Sequence, residues 1–91
     1  MNVNSRPKRA ERILSQRSAE MVILLSPGSG QYYTLDEVGA RVWELCDGTR
    51  QVTDLVSAIH AEYDAPVETI QTDLLELLVD LTREKLVALA P

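Results

Sequence analysis

Cys46 and His60 are the only thiol and the only imidazole in this chain of 91 residues, so they are the first places to look for chemistry. A cysteine nucleophile needs a base within hydrogen-bond reach and a third group to orient that base. Nothing in the sequence beyond their presence supports such a pairing. Cys46 stands at helical spacing from Val42 and reads as a small buried hydrophobe. His60 follows Ile59 at the edge of a polar helical face. No second His or Cys stands at ligand spacing to His60, which argues against a metal site, and a lone cysteine excludes an internal disulfide. The Gly28-Ser29-Gly30 loop links two strands and has no helix behind it to cradle a phosphate. Asp36 and Glu37 are acidic charges at a helix start, where they suit the macrodipole. There is no dinucleotide fingerprint, P-loop or nucleophile elbow. These residues make no active site and call for no cofactor.

Two other sets of residues stand out, one on a strand and one on a helix face. The first is Gln31-Tyr32-Tyr33-Thr34-Leu35, an alternating segment that runs straight into a helix. It is preceded by the apolar run Met21–Leu25 and by Ser26-Pro27-Gly28-Ser29-Gly30, whose Pro and Gly residues are turn signals. The pattern is a hairpin, with Tyr33 and Leu35 inward and Tyr32 and Thr34 outward. The second set lies on the last helix. There Ile70, Leu74, Leu77, Leu78 and Leu81 form the core stripe, while Leu75 and Val79 fall well off it, flanked by Glu76, Asp80 and Arg83.

The elements that position these sets follow from periodicity and capping. Residues 1–10 lack periodicity and are expected to be a flexible basic arm, with the folded domain over 11–91. Arg12–Ser15 is a candidate first strand. The first helix starts at Asp36, a capping residue, carries Val38, Val42, Leu45 and Cys46 on one stripe, and stops at Gly48. A second helix covers about 52–63, with Val52, Leu55, Val56 and Ile59 recurring at helical spacing. The third starts near Pro66 and runs to about Lys85. Leu86–Leu89 is a short apolar tail that packs back or forms a strand. The fold class expected is α+β, winged helix-turn-helix-like.

Composition narrows the function further. Hydrophobic residues are 45% of the chain and Phe is absent, so the core must be Leu, Val and Ile. A single domain of this length leaves little room for an enclosed catalytic pocket. Residues 1–19 carry Arg6, Lys8, Arg9, Arg12 and Arg17 against Glu11 alone, whereas the remainder carries four basic side chains against thirteen acidic. That acidic domain favours a basic or neutral partner over nucleic acid. No apolar run reaches membrane-span length and no secretory signal is present, so no membrane association and a cytoplasmic location are expected.

From Gln31 onward the sequence resembles the PqqD-like family, the recognition elements of ribosomally synthesised peptide pathways. The resemblance is carried by Tyr33-Thr34-Leu35, by Asp36-Glu37-Val38-Gly39-Ala40-Arg41-Val42-Trp43-Glu44-Leu45-Cys46-Asp47-Gly48, by the second-helix stripe, and by Asp73-Leu74, Leu77-Leu78, Leu81 and Leu86-Val87. Asp36 stands where the family often has Asn, and Lys85 where a Gly usually ends the last helix, which implies a frayed or differently turned end. The resemblance implies a three-stranded antiparallel sheet followed by three helices. It also implies a leader peptide held as an added strand on the last strand, against the third helix. Carried over, Gln31, Tyr32, Tyr33, Thr34 and Leu35 offer the strand. Leu74, Leu75, Leu78 and Val79 form the apolar floor, and Asp73, Glu76 and Asp80 select basic leader residues.

The partners implied are a precursor's leader segment and a separate leader peptidase or radical SAM enzyme. The Val38–Trp43 run and the Met21–Leu35 hairpin look more like the lasso-peptide type than the type that delivers the pyrroloquinoline quinone precursor. An open sheet edge allows self-pairing, and a monomer or weak homodimer is expected. A winged-helix DNA binder is the alternative of another class. Its recognition helix needs outward Arg, Lys, Asn or Gln, yet the third helix carries Glu68, Asp73, Glu76, Asp80 and Glu84 against Arg83 and Lys85. A structural adaptor that holds an enzyme without touching the leader is the third possibility.

Overall fold

A computed structural model describes residues 1–90, and Pro91 lies outside them. In chain order the elements are β1 (Arg6–Arg9), β2 (Leu14–Ser18), β3 (Met21–Ser26), β4 (Gln31–Leu35), α1 (Glu37–Leu45), α2 (Val52–Glu62), α3 (Val67–Arg83) and β5 (Val87–Ala90). Strands β2, β3 and β4 form an antiparallel sheet in that order, and the three helices follow it. The α+β architecture expected from the sequence is therefore present.

The central strand β3 is the apolar run. Its Val22 and Leu24 are buried on the helix side, paired with Leu35 and Tyr33 of β4. The β3–β4 turn closes through Gly30, whose φ of +71° and N–H to Ser26 O (2.7 Å) suit a glycine. Strand β2 begins later than expected because its hairpin with β3 is a two-residue turn, Ala19-Glu20, between the paired Ser18 and Met21. Such turns need a positive φ, here taken by Ala19 at +56° rather than by a glycine. The sequence therefore carries no turn signal at that point.

Helix α1 is capped by Asp36, whose Oδ1 accepts from the Gly39 N–H at 2.8 Å. Its buried residues Val42, Trp43 and Leu45 meet Leu55, Val56 and Ile59 of α2 and Leu74, Leu78 and Leu81 of α3 in one aliphatic core. Pro66 sits one position before α3, as its cap. That helix ends in a Schellman motif: Leu86 N–H donates to Leu81 O (2.8 Å) and Lys85 N–H to Thr82 O (3.0 Å). Lys85 takes the left-handed position with φ +61°. The helix end is thus a formed cap and not a frayed one, with lysine standing where glycine would be unstrained.

The N-terminal segment departs most from expectation. Residues 1–10 are not a loose arm, because β1 pairs antiparallel with β5 in a second, two-stranded sheet. The segment also lies across the α1–α2 connection. Arg9 N–H donates to Cys46 O (2.9 Å), and Gly48 N–H donates to Pro7 O (3.0 Å). The first-turn amides of α2 are satisfied by the same strap, Val52 N–H by Ser5 O (2.9 Å) and Thr53 N–H by Val3 O (3.1 Å). Gly48, at φ +85°, lets the strap approach: a Cβ there would lie 3.2 Å from Lys8 Cδ and 3.4 Å from Ala90 Cβ. Backbone pairing rather than side-chain periodicity makes this strand.

Candidate peptide-binding cleft

Among the described residues, strand β4 has β3 on one side and no strand on the other. Along an edge strand, alternate residues turn their N–H and C=O groups outward, where they are free to pair with another chain. The strand alternates as expected, with Leu35 buried, Tyr33 half-buried, and Tyr32 71% exposed. The open edge therefore borders two surfaces, an inner one facing the helices and an outer one facing solvent.

On the inner side an open cavity of about 620 Å³ separates β4 from α3. Tyr33, Thr34 and Leu35 line one wall, and Thr69, Ile70, Asp73, Leu74 and Leu77 line the other. The end is closed by Val38 of α1, Tyr63 after α2, and Ala65. The lining is mostly apolar. Its polar groups are few, and several are already engaged. Asp36 is held at the α1 cap, and the Tyr63 hydroxyl donates to Glu37 Oε1 at 3.4 Å. Burial, followed by the nearby Glu37 charge, raises the Tyr63 pKa, so the hydroxyl keeps its proton. Asp73 remains as an exposed carboxylate at the cavity wall. At the other end of β4, Gln31, Tyr32 and Tyr33 face Glu84 and Leu86 across a narrow notch. The cavity and the notch, which share Tyr33, together border the strand, with Asp73 beside one and Glu84 beside the other.

All five strand residues singled out from the sequence, Gln31 to Leu35, border this cleft. Of the helix residues, Asp73 and Leu74 line it. Leu78 is fully buried in the core. Leu75, Glu76, Val79 and Asp80 are brought together elsewhere, in a shallow depression with Arg83 that includes no residue of β4. Arg83 Nη1 pairs with Asp80 Oδ1 at 3.1 Å there. The residue that takes their place at the cleft is Leu77, which the sequence assigns to the core stripe. At 100° per residue Leu77 falls between Asp73 and Leu74, so it sits at the margin of that stripe. Periodicity gives the margin but not which side of the helix the sheet edge occupies. Met21, Val38 and Tyr63 carry no signal for this role, since each comes to the cavity from a different element.

The thiol and imidazole do not form a unit. Cys46 is buried, and burial pushes its pKa up to about 12, aided by Asp47 and opposed by Arg9. It therefore stays protonated, and His60 is exposed to solvent. Among the described residues no group of three or more His, Cys, Asp or Glu is placed to hold a metal ion. No helix there is long and apolar enough to cross a membrane.

A free sheet edge facing a helix-lined apolar groove is a geometry that permits strand addition. The model for PqqD, coenzyme PQQ synthesis protein D, matches residues 21–87. The chain belongs to the PqqD family.

Several PqqD relatives are similar over most of their length. A PqqA binding protein of Bradyrhizobium diazoefficiens is 34% identical over 79 residues, covering 85% of this chain and 75% of its own. A PqqA binding protein of Xanthomonas axonopodis pv. citri is 30% identical over 88 residues, 94% of either chain. Among solved structures, TbiB1 in complex with the TbiA(beta) leader peptide has a TM-score of 0.79 at 32% identity, covering 88% of this chain and 93% of that one. Lasso peptide synthetase B1, complexed with the leader peptide, has a TM-score of 0.80 at 17% identity over 91% of this chain and 98% of that one, a likeness of fold.

Proposed function

We propose that this chain binds the leader of a ribosomally synthesised precursor peptide and presents it to a maturation enzyme, acting by position rather than by chemistry of its own. The observation that carries this reading is the unpaired edge of β4 beside the apolar cavity against α3. In this mechanism the leader adds a fourth strand to β4, and main-chain hydrogen bonds supply affinity. One or two apolar leader side chains enter between Tyr33, Leu35, Leu74 and Leu77. Asp73 and Glu84 favour basic residues near the ends of the bound stretch. Holding the leader on a small carrier raises the effective concentration of the neighbouring segment at the enzyme.

The substrate favoured is a lasso-peptide precursor delivered to a separate leader peptidase, on the strength of the Met21–Leu35 hairpin and the Val38–Trp43 run. The names of the curated relatives favour a second reading, in which the precursor is the one called PqqA and the enzyme is a radical SAM protein. Fluorescence-anisotropy titration against labelled leaders of the precursors encoded beside the gene tests both. Sub-micromolar, leader-selective binding is expected, and the leader that binds decides the pathway. Failure to bind any of them, together with binding to the enzyme alone, would replace this reading with a structural adaptor.

A further inference from the structure

The N-terminal strap is tied to one end of every helix. Ser5 O and Val3 O accept from the first amides of α2. Arg9 serves the end of α1: its Nη1 donates to Trp43 O (3.1 Å) and Glu44 O (2.6 Å), and its N–H to Cys46 O. At the exit from α3 the tie is Ala10 N–H to Leu86 O (2.9 Å), which continues into the β1–β5 pairing. Pro7, fully buried, anchors the strap. Each tie satisfies a terminal group that the helix itself leaves open, and the one at Leu86 also reaches the cleft.

Leu86 joins three things. Its N–H closes the end of α3 on Leu81 O (2.8 Å), and its C=O takes the Ala10 N–H. It is also buried, and it borders the notch opposite Gln31, Tyr32 and Tyr33. Across the cleft itself nothing comparable holds the helix. Among the described residues, no hydrogen bond or ion pair joins α3 to β4. An open cavity separates them instead.

We propose that the strap positions α3 against β4 for leader binding, with Pro7 and Leu86 as its positioning residues. With the strap closed, α3 stands at the spacing that holds an added strand; with the strap open, the cleft loosens. The proposal deepens the leader-binding reading above and rests on it. The strap can open alone because β1 and β5 form a sheet of only two strands, a marginal unit, whereas the helices share one aliphatic core. The coupling is reciprocal. The factor by which opening weakens leader binding is the factor by which bound leader opposes opening.

Pro7→Ala and Ala88→Pro loosen the strap in the full chain from outside the cleft. The first shrinks the buried anchor, and the second removes the N–H of the residue paired with Lys8. Leader affinity is measured by anisotropy, with circular dichroism confirming the helices. Each variant should raise the leader Kd at least about fivefold. A second arm needs no variant: amide exchange of Lys8, Arg9, Ala10 and Ala88 in the parent, with and without saturating leader. Local opening governs these amides, and leader should slow them by at least about fivefold as well. A strap that only stabilises the fold would not respond to leader in this way. Leader Kd within about twofold in the folded variants, or strap exchange unchanged by leader, would overturn the coupling and leave the leader reading standing. If neither variant folds, the exchange arm decides alone. No leader binding by the parent chain would defeat the leader reading, and the coupling with it.

Discussion

Replacing Leu77 by alanine separates the cleft from the rest of α3. Leu77 is half-buried: part of its side chain packs on the core and part lines the cavity facing β4. Truncation to alanine removes about three carbons, worth ~0.8 kcal/mol each if all were buried by folding and binding together. Dividing that between core and cavity leaves about 1 kcal/mol for each. The affinity share corresponds to an increase of about fivefold in leader Kd. The stability share is small beside the ~5–15 kcal/mol of a typical domain, so the variant stays folded. Val79→Ala is the control. Val79 is 42% exposed in the depression it shares with Glu76 and Arg83, away from β4, and its leader Kd should stay within about twofold. Anisotropy titrations of both variants, with urea melts to confirm folding, give the comparison. If Val79→Ala weakens binding as much as Leu77→Ala or more, the leader lies on the other flank of α3 and the cleft is assigned to the wrong side.

Three further outcomes concern the framework that holds the cleft. Lys85→Gly should stabilise the domain: it relieves a left-handed residue costing ~1–2 kcal/mol, offset by ~0.4–1 kcal/mol of added chain entropy when unfolded. A net gain near 1 kcal/mol would raise Tm by about 4–8 °C for a chain of this size, and a lowered Tm would show that the side chain matters more than its φ. Deleting residues 1–9 strips β5 of its partner and leaves the first amides of α2 to water. A loss of at least ~2 kcal/mol is expected from the two capping hydrogen bonds alone, at ~1 kcal/mol each; an unchanged urea midpoint would return the strap to a loose arm. Cys46 should resist thiol reagents in the native protein at neutral pH and react once unfolded. Its folded pKa is raised, so its contribution to stability is complete below the ordinary value of 9.0 and is lost as pH rises toward about 12. Stability insensitive to pH across that range would contradict this.

Side-chain periodicity made the helices and the β3–β4 hairpin readable, because each buries a regular stripe or alternation. Capping added the start of α1 at Asp36. What stayed hidden lacks such a pattern. Arg6-Pro7-Lys8-Arg9 has no apolar alternation and a proline, yet it becomes a strand through backbone pairing to β5 and hydrogen bonds to Cys46 and Gly48 in the α1–α2 connection. The β2–β3 turn was missed because Ala19 accepts a positive φ that glycine would have advertised. On α3 the stripe was correct, but the side of it that faces the sheet depends on how the helix is set against β4, a tertiary fact. Periodicity separates Leu77 from Leu75 by angle and cannot say which of them meets the cleft.

Amide hydrogen exchange of residues 31–35, with and without the bound leader, tests whether the leader pairs with β4 as a strand. An edge strand already has alternate N–H groups bonded to β3, so only the outward set is free to change. On leader binding these alternate amides of β4 should become strongly protected, while those facing β3 change little. Tight leader binding with unaltered exchange along β4 would contradict it.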